Sequence, residues 1–223
     1  MRQLVYKDLF FFRVMWLVNF VMPLLFFMLE PSGEFLFPMS CLFITLSSVM
    51  TLTFMDERNK SDIIINSLPV SRKDIIIARY ISCAIFIVGA ILSTMLVVFL
   101  IRGIVVISDI GVYHPNLYIE IPWYEVINGA VYATFFVVTF FPSYYGTKSK
   151  VVRSIGSAAS IGVGVILWIF ISDGLNETKS SFSEWIMNPV HIGVFIVGGI
   201  MILASVYIVS MFLTIKIYET RDL

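Results

Sequence analysis

The amino-acid sequence predicts an all-α integral membrane protein with six transmembrane helices. Hydrophobic residues make up 59% of its 223 residues, and the mean hydropathy is +0.93, which is far outside the range of soluble domains. Several runs reach about 20 residues without a charge, enough to cross a hydrocarbon core about 30 Å thick. The charged residues lie almost entirely between these runs, so the sequence predicts one transmembrane domain over residues 1–223.

The apolar runs set the positions of the six predicted spans. We place these spans at about residues 14–29, 35–54, 80–101, 123–141, 154–172 and 190–213. The loop between the third and fourth spans has aromatic residues at its edges, which is typical of a membrane interface.

The first 13 residues predict an amphipathic helix ahead of the first span. Val5, Leu9 and Phe12 follow a helical stripe, whereas Lys7 and Arg13 lie off it. A basic helix of this kind can lie in the membrane interface. The alternative is that these residues are simply the front end of the first span.

Lys and Arg residues are distributed very unequally between the two sides of the predicted membrane domain. The side with both termini and the loops 55–79 and 142–153 carries thirteen of the fifteen, and the other carries Arg102 and Lys179. Because short cytoplasmic loops are enriched in Lys and Arg, we expect both termini to be cytoplasmic. The sequence therefore predicts a multi-pass protein of the plasma membrane.

The segment Met55–Tyr80 is the longest polar interruption on the predicted cytoplasmic side. It contains an isoleucine run and then Leu68 and Pro69, which predict the end of a short helix. Ser71 with Asp74 three residues later resembles a capping box and predicts a new helix start. A helix, a break and a second helix within a cytoplasmic loop indicate a contact surface for a partner.

The sequence holds no pattern of a catalytic, metal or nucleotide site. Its two histidines, His114 and His191, are at the outer ends of spans without a partnering motif. No span carries a charge near its centre, and Glu125 is at a span edge, where we expect it to reach the interface. We therefore predict no enzymatic activity, no cofactor bound by this chain and no nucleic-acid partner. Energy for any work must then come from another chain.

Two further features have mainly structural interpretations. Cys41 and Cys83 lie in apolar runs and are predicted to be small buried hydrophobic residues. Gly156, Ser160 and Gly164 form a small-xxx-small ladder that permits close helix approach. This ladder predicts either packing within the subunit or a seam between two subunits.

Two motifs resemble those of the ABC-2 type permeases, the membrane subunits of ATP-binding-cassette exporters. The first is the acidic-basic run 56–60 followed by Asn66-Ser67-Leu68-Pro69-Val70-Ser71-Arg72-Lys73-Asp74-Ile75. The second is Phe141-Pro142-Ser143-Tyr144-Tyr145-Gly146, with Lys148 and Lys150 after it. The layout and length of the whole chain agree with the same family, and small Gram-positive peptide exporters, such as those of phenol-soluble modulins, are similar members.

The resemblance implies a role for each predicted helix of the cytoplasmic side. Residues 1–13 would be the elbow helix, and residues 61–68 would be the coupling helix that docks on a separate ATPase. The implied ATPase-coupling residues are Asp56, Glu57, Arg58, Lys60, Ser61, Ile63, Ile64, Leu68, Pro69 and Arg72.

The resemblance also implies the partners and the cargo. The family works with two ATP-binding-cassette ATPase subunits, which hold the ATP and Mg, and with a second permease subunit that is identical or related. Small members export peptides, including amphipathic cytolytic peptides, or confer resistance to peptide antibiotics. A pathway without charges at the midplane suits an amphipathic cargo that partitions into the lipid bilayer.

Two other functions remain open on the sequence. The chain could be a six-span binding or scaffold subunit that does not itself transport, such as a vitamin-capture subunit. An intramembrane enzyme is the third possibility, and the absence of a catalytic motif argues against it.

Overall fold

The computed structural model describes residues 2–29, 36–59, 71–107, 123–147 and 189–220, together with residues 156, 159, 162 and 166. This part of the chain is helical apart from a few turn or end residues, which confirms the all-α fold there. The helices are α1 (Arg2–Val14), α2 (Trp16–Leu29), α3 (Leu36–Arg58), α4 (Arg72–Ile107), α5 (Trp123–Gly146) and α6 (Pro189–Glu219).

Four of these helices are long and apolar enough to cross a membrane. They comprise Leu36–Arg58, Arg72–Ile107, Glu125–Gly146 and Val197–Glu219. Helix α2 is apolar but has 14 residues, so it is about 21 Å long at 1.5 Å per residue. The predicted span 154–172 lies outside the described residues except for four helical positions, so the count of six spans stays a prediction.

The start of α4 follows the predicted capping pattern. The helix begins at Arg72, and the backbone N–H of Asp74 donates to the Ser71 hydroxyl at 3.2 Å. The N–H of Ile75 donates to the Ser71 carbonyl at 3.3 Å. Ser71 therefore caps the helix as predicted, because it satisfies an N–H group that has no partner in the first turn.

Helix α5 ends later than its sequence predicts. Residues 142–146, which we expected in a loop, continue the helix to Gly146 through Pro142. Proline has no N–H, so it leaves the carbonyl of Val138, four residues earlier, without its helical donor. The hydroxyl of Ser210 on α6 donates to that carbonyl at 2.9 Å. The loop prediction was wrong because this replacement donor comes from a distant helix.

The chain divides into two compact units, Met1–Ala133 and Thr134–Leu223. In the first unit, α3 packs against α2 and α4, and α1 packs against α3 and α4. Its core includes the fully buried thiols of Cys41 and Cys83, which are free, so their predicted hydrophobic role is confirmed. In the second unit, aromatic side chains of α5 and Tyr218 of α6 form the core, with Tyr145 and Tyr218 in edge contact at 5.2 Å between ring centroids.

Candidate functional site

Four of the ten predicted ATPase-coupling residues lie on the two helix ends that flank residues 60–70. Asp56, Glu57 and Arg58 form the last turn of α3, and Arg72 begins α4. The other six, Lys60, Ser61, Ile63, Ile64, Leu68 and Pro69, lie outside the described residues. Their role in coupling stays a prediction, and the structure describes the two helix ends that hold the segment 60–70.

Three buried charged residues meet where those helix ends pack against α1. Asp8 of α1, Asp56 of α3 and Arg79 of α4 are 2%, 6% and 6% exposed. One guanidinium nitrogen of Arg79, Nη1, donates to Asp8 Oδ1 at 2.8 Å. The other, Nη2, pairs with Asp56 Oδ2. Arginine suits this position because its planar fork presents separate donors to two carboxylates.

A second cation completes the group. Lys7 Nζ donates to Asp56 Oδ1 at 2.9 Å and lies 3.9 Å from Asp8 Oδ1. Its side chain is 35% exposed, so it forms the solvent-accessible edge of the group. We call Lys7, Asp8, Asp56 and Arg79 the charge cluster.

The charge cluster is electrically balanced, with two cations and two carboxylates. The Ser82 hydroxyl also donates to Asp8 Oδ2 at 3.2 Å, one turn beyond Arg79 on α4. Burial raises the pKa of Asp8 above its usual range, although Arg79, Lys7 and the Ser82 hydroxyl act in the opposite direction. Desolvation of this carboxyl therefore outweighs its favourable partners. Such a balanced and mutually bonded group can hold helices together.

Sequence reasoning did not find the charge cluster. We treated Asp56 as an ATPase-coupling residue and Arg79 as part of the loop 55–79, and we did not single out Asp8. One signal was present: Asp8 is the only acidic residue among the first 29. It also lies one turn from Leu4 and Val5 on α1, on the side that packs against the protein. A single acidic side chain on a packed helix face is expected to pair with a buried cation, because an unpaired buried charge is costly.

Glu125 is a further buried charged residue. We expected this side chain to reach the membrane interface, and it is buried in the first turn of α5, at 6% exposure. Burial here is within the first compact unit. Its position at the end of the helix agrees with the sequence, and its depth relative to the membrane interface stays a prediction.

The predicted small-residue face is described at one position. A Cβ atom at Gly156 would lie 3.3 Å from the Cβ of Ser143 on α5, so these two segments approach closely within the second unit. Ser160 and Gly164 lie outside the described residues. Whether this face packs within the chain or between two subunits stays a prediction.

Comparison with known proteins gives one positive result. No curated protein matches the chain, and neither does any solved structure. The model of a family described as ABC-2 family transporter protein matches residues 3–219, which includes all six helices described above apart from Arg2, the first residue of α1. With its long apolar helices, the chain is a multi-pass membrane protein, and it belongs to the ABC-2 transporter family.

Proposed function

We propose that this chain is the permease subunit of an ATP-binding-cassette exporter in the plasma membrane. It moves hydrophobic or amphipathic cargo, with amphipathic peptides as the cargo class. A separate ATPase, present in two copies, holds ATP and Mg and does the hydrolysis, so the chain itself is not an enzyme. A second permease subunit, identical or related, completes the transporter, and both termini lie in the cytoplasm.

The observation that carries this proposal is the family match over residues 3–219. The geometry of the two helix ends that flank residues 60–70 also supports this proposal. The segment 60–70 lies between two helix ends, and Asp56 and Arg79 join those ends by a buried ion pair. A segment held on a firm base is suited to receive force from an ATPase and pass it to the long helices α3 and α4.

The nature of the helices supports an amphipathic cargo. Helix α4 has charged residues only near its two ends, and its middle 22 residues, 80–101, are uncharged. Several hydroxyls of α3 bond to its own backbone; Ser48, for example, donates to the Ile44 carbonyl at 2.8 Å. The uncharged middle of α4 offers an apolar surface, which suits cargo that partitions into lipid.

Binding of the ATPase tests the proposal directly. Ile64→Glu places a charge in the centre of the predicted coupling helix, where a buried contact with the ATPase is expected. We expect this variant to lose copurification with an ATP-binding-cassette ATPase expressed with it, because an unpaired charge is costly in an apolar contact. Thr220→Glu is the matched control, since Thr220 is exposed at the end of α6 on the same predicted side.

Two results would overturn the proposal. The first is that no ATP-binding-cassette ATPase copurifies with the unmodified chain. The second is that Ile64→Glu and Thr220→Glu retain the ATPase equally well, which would remove the coupling-helix assignment. ATPase binding without ATP-dependent uptake of fluorescent amphipathic peptides into inside-out vesicles would exclude the peptide cargo.

A further inference from the structure

We propose that the charge cluster closes a ring through three helices, so that α1 moves together with the two helix ends that flank residues 60–70. Lys7 joins α1 to Asp56 of α3. Asp56 joins α3 to Arg79 of α4. Arg79 joins α4 back to Asp8 of α1. Each pair of helices is therefore linked directly, and no helix depends on a single contact.

The burial of the ring makes it resistant to opening. Separating α1 from its neighbours would leave Asp8, at 2% exposure, without its cations in a poorly hydrated site. An uncompensated buried charge is far more costly than an exposed one. The three helices therefore keep their relative positions at this level.

The ring has a defined place along the chain. Asp56 is two residues before the end of α3. Arg79 lies about two turns into α4, about 10 Å from the start of the helix at 1.5 Å per residue. Lys7 and Asp8 lie in the middle of α1, which continues into α2 after a single turn residue, Met15. Displacement of the segment 60–70 would therefore reach α1 and, through it, α2.

This inference rests on the proposed function only for the source of the displacement. If an ATPase pushes on residues 60–70, the ring passes the push to the N-terminal helix as well as to α3 and α4. Arg79 is then a positioning residue, because it bonds to both carboxylates and so acts through the helices that carry them. The ring itself is a property of this chain alone.

A charge-balanced double variant opens the ring on the α1 side. Lys7→Met with Asp8→Asn removes one cation and one anion, and it leaves the Asp56–Arg79 pair between α3 and α4. The matched control is Lys216→Met with Glu219→Gln, which removes an exposed cation and an exposed anion from the end of α6. Lys7→Gln is a milder second variant that opens only the Lys7–Asp56 side, in case the double variant folds poorly.

The distance between α1 and α4 is the measurement. Spin labels on Tyr6→Cys, at a residue that is 73% exposed, and on exposed Lys73→Cys report it by pulsed electron resonance in nanodiscs. Cys41 and Cys83 are fully buried, so they do not compete for the label in the folded chain. Distances are recorded for the chain alone and for its complex with a hydrolysis-deficient ATPase, with and without ATP.

With the ring intact, we expect one narrow distance that ATP does not change, and the same result for the α6 control. In the double variant, we expect a broader distribution whose mean shifts with ATP, and in Lys7→Gln a smaller broadening. A double variant indistinguishable from the intact chain would overturn the proposal, as would an ATP-dependent shift in the intact chain.

The outcome is separable from that of the proposed function. If no ATPase binds, the proposed function fails, and the width of the distribution in the chain alone still decides whether the ring ties α1 to α4. If the ATPase binds and the widths are equal, the ring fails and the proposed function stands.

Discussion

Arg79 is the residue on which the charge cluster depends, because each of its terminal nitrogens serves a different carboxylate. Its partners come from α1 and α3, and the Arg79–Asp8 hydrogen bond joins residues 71 positions apart in the chain. Lysine would carry the same charge but present it as a single point. The fork geometry, and not charge alone, is therefore what brings the two acids to one place.

Removing the Arg79 guanidinium should destabilise the first compact unit strongly. Arg79→Met leaves two buried carboxylates with Lys7 as the remaining cation of the cluster, and loss of one partner from a buried ion pair costs about 3–5 kcal/mol. Thermal unfolding of the detergent-solubilised chain measures this change. Arg102→Met is the control, since Arg102 is exposed at the other end of the same helix. Equal losses of stability in both variants would contradict the central role of Arg79.

At the scale of the element, α5 shows how a proline can lie inside a helix. Its missing N–H is replaced by the Ser210 hydroxyl, which is 3% exposed and donates to the Val138 carbonyl at 2.9 Å. The helix therefore continues past Pro142 because α6 supplies the donor. This contact also fixes the position of α6 along α5 within the second unit.

A double-mutant cycle tests this replacement. Ser210→Ala leaves the part-buried Val138 carbonyl without its donor, and we expect a loss of about 1 kcal/mol or more in the free energy of unfolding. In Pro142→Ala, a backbone N–H returns to the same carbonyl, so Ser210→Ala should cost much less in that background. Ser205→Ala is the control, because the Ser205 hydroxyl is exposed and bonds only to Ile202 of its own helix among the contacts described. Strict additivity of Pro142→Ala and Ser210→Ala would disprove the replacement.

The approach of α5 to α3 depends on Gly129. A Cβ atom there would lie 3.0 Å from both the Sγ of Cys41 and the backbone carbonyl oxygen of Phe37. The carbonyl belongs to the first turn of α3, so it cannot rotate away as a side chain can. The two helices therefore touch through backbone atoms at this position.

Gly129→Ala should consequently destabilise the chain by about 1–3 kcal/mol, the usual cost of overpacking a filled core. Gly103→Ala is the matched control, because a Cβ at Gly103 of α4 meets nothing within 4 Å. In a helix interior, alanine is otherwise favoured over glycine by about 0.5–1 kcal/mol, so the control should be neutral or stabilising. Thermal unfolding that ranked the two variants in the opposite order would contradict the close approach.

Across the whole molecule, the features that could be predicted from the sequence are those set by residues close together in the chain. The start of α4 at Arg72 was predictable because its cap, Ser71, is adjacent in the chain. The charge cluster was not, because Lys7 and Asp56 are 49 positions apart and neither residue is unusual by itself. The end of α5 was missed for the same reason, since the donor that permits Pro142 in the helix belongs to α6.

Whether α2 crosses the membrane decides the number of spans. It also decides whether the two termini lie on the same side. At about 21 Å, this helix is shorter than a hydrocarbon core of about 30 Å, so it crosses only if α1 residues or local thinning of the bilayer complete the span. The excess of Lys and Arg on the predicted cytoplasmic side favours a full crossing.

We therefore expect Tyr6→Cys and Thr220→Cys to react with a membrane-impermeant maleimide only from the cytoplasmic side, and Asn116→Cys only from outside. The unsubstituted chain, whose cysteines are both buried, is the unlabelled control. Reaction of Tyr6→Cys and Thr220→Cys from opposite sides would mean an odd number of spans. If Tyr6→Cys then reacts from the same side as Asn116→Cys, α2 is the helix that does not cross.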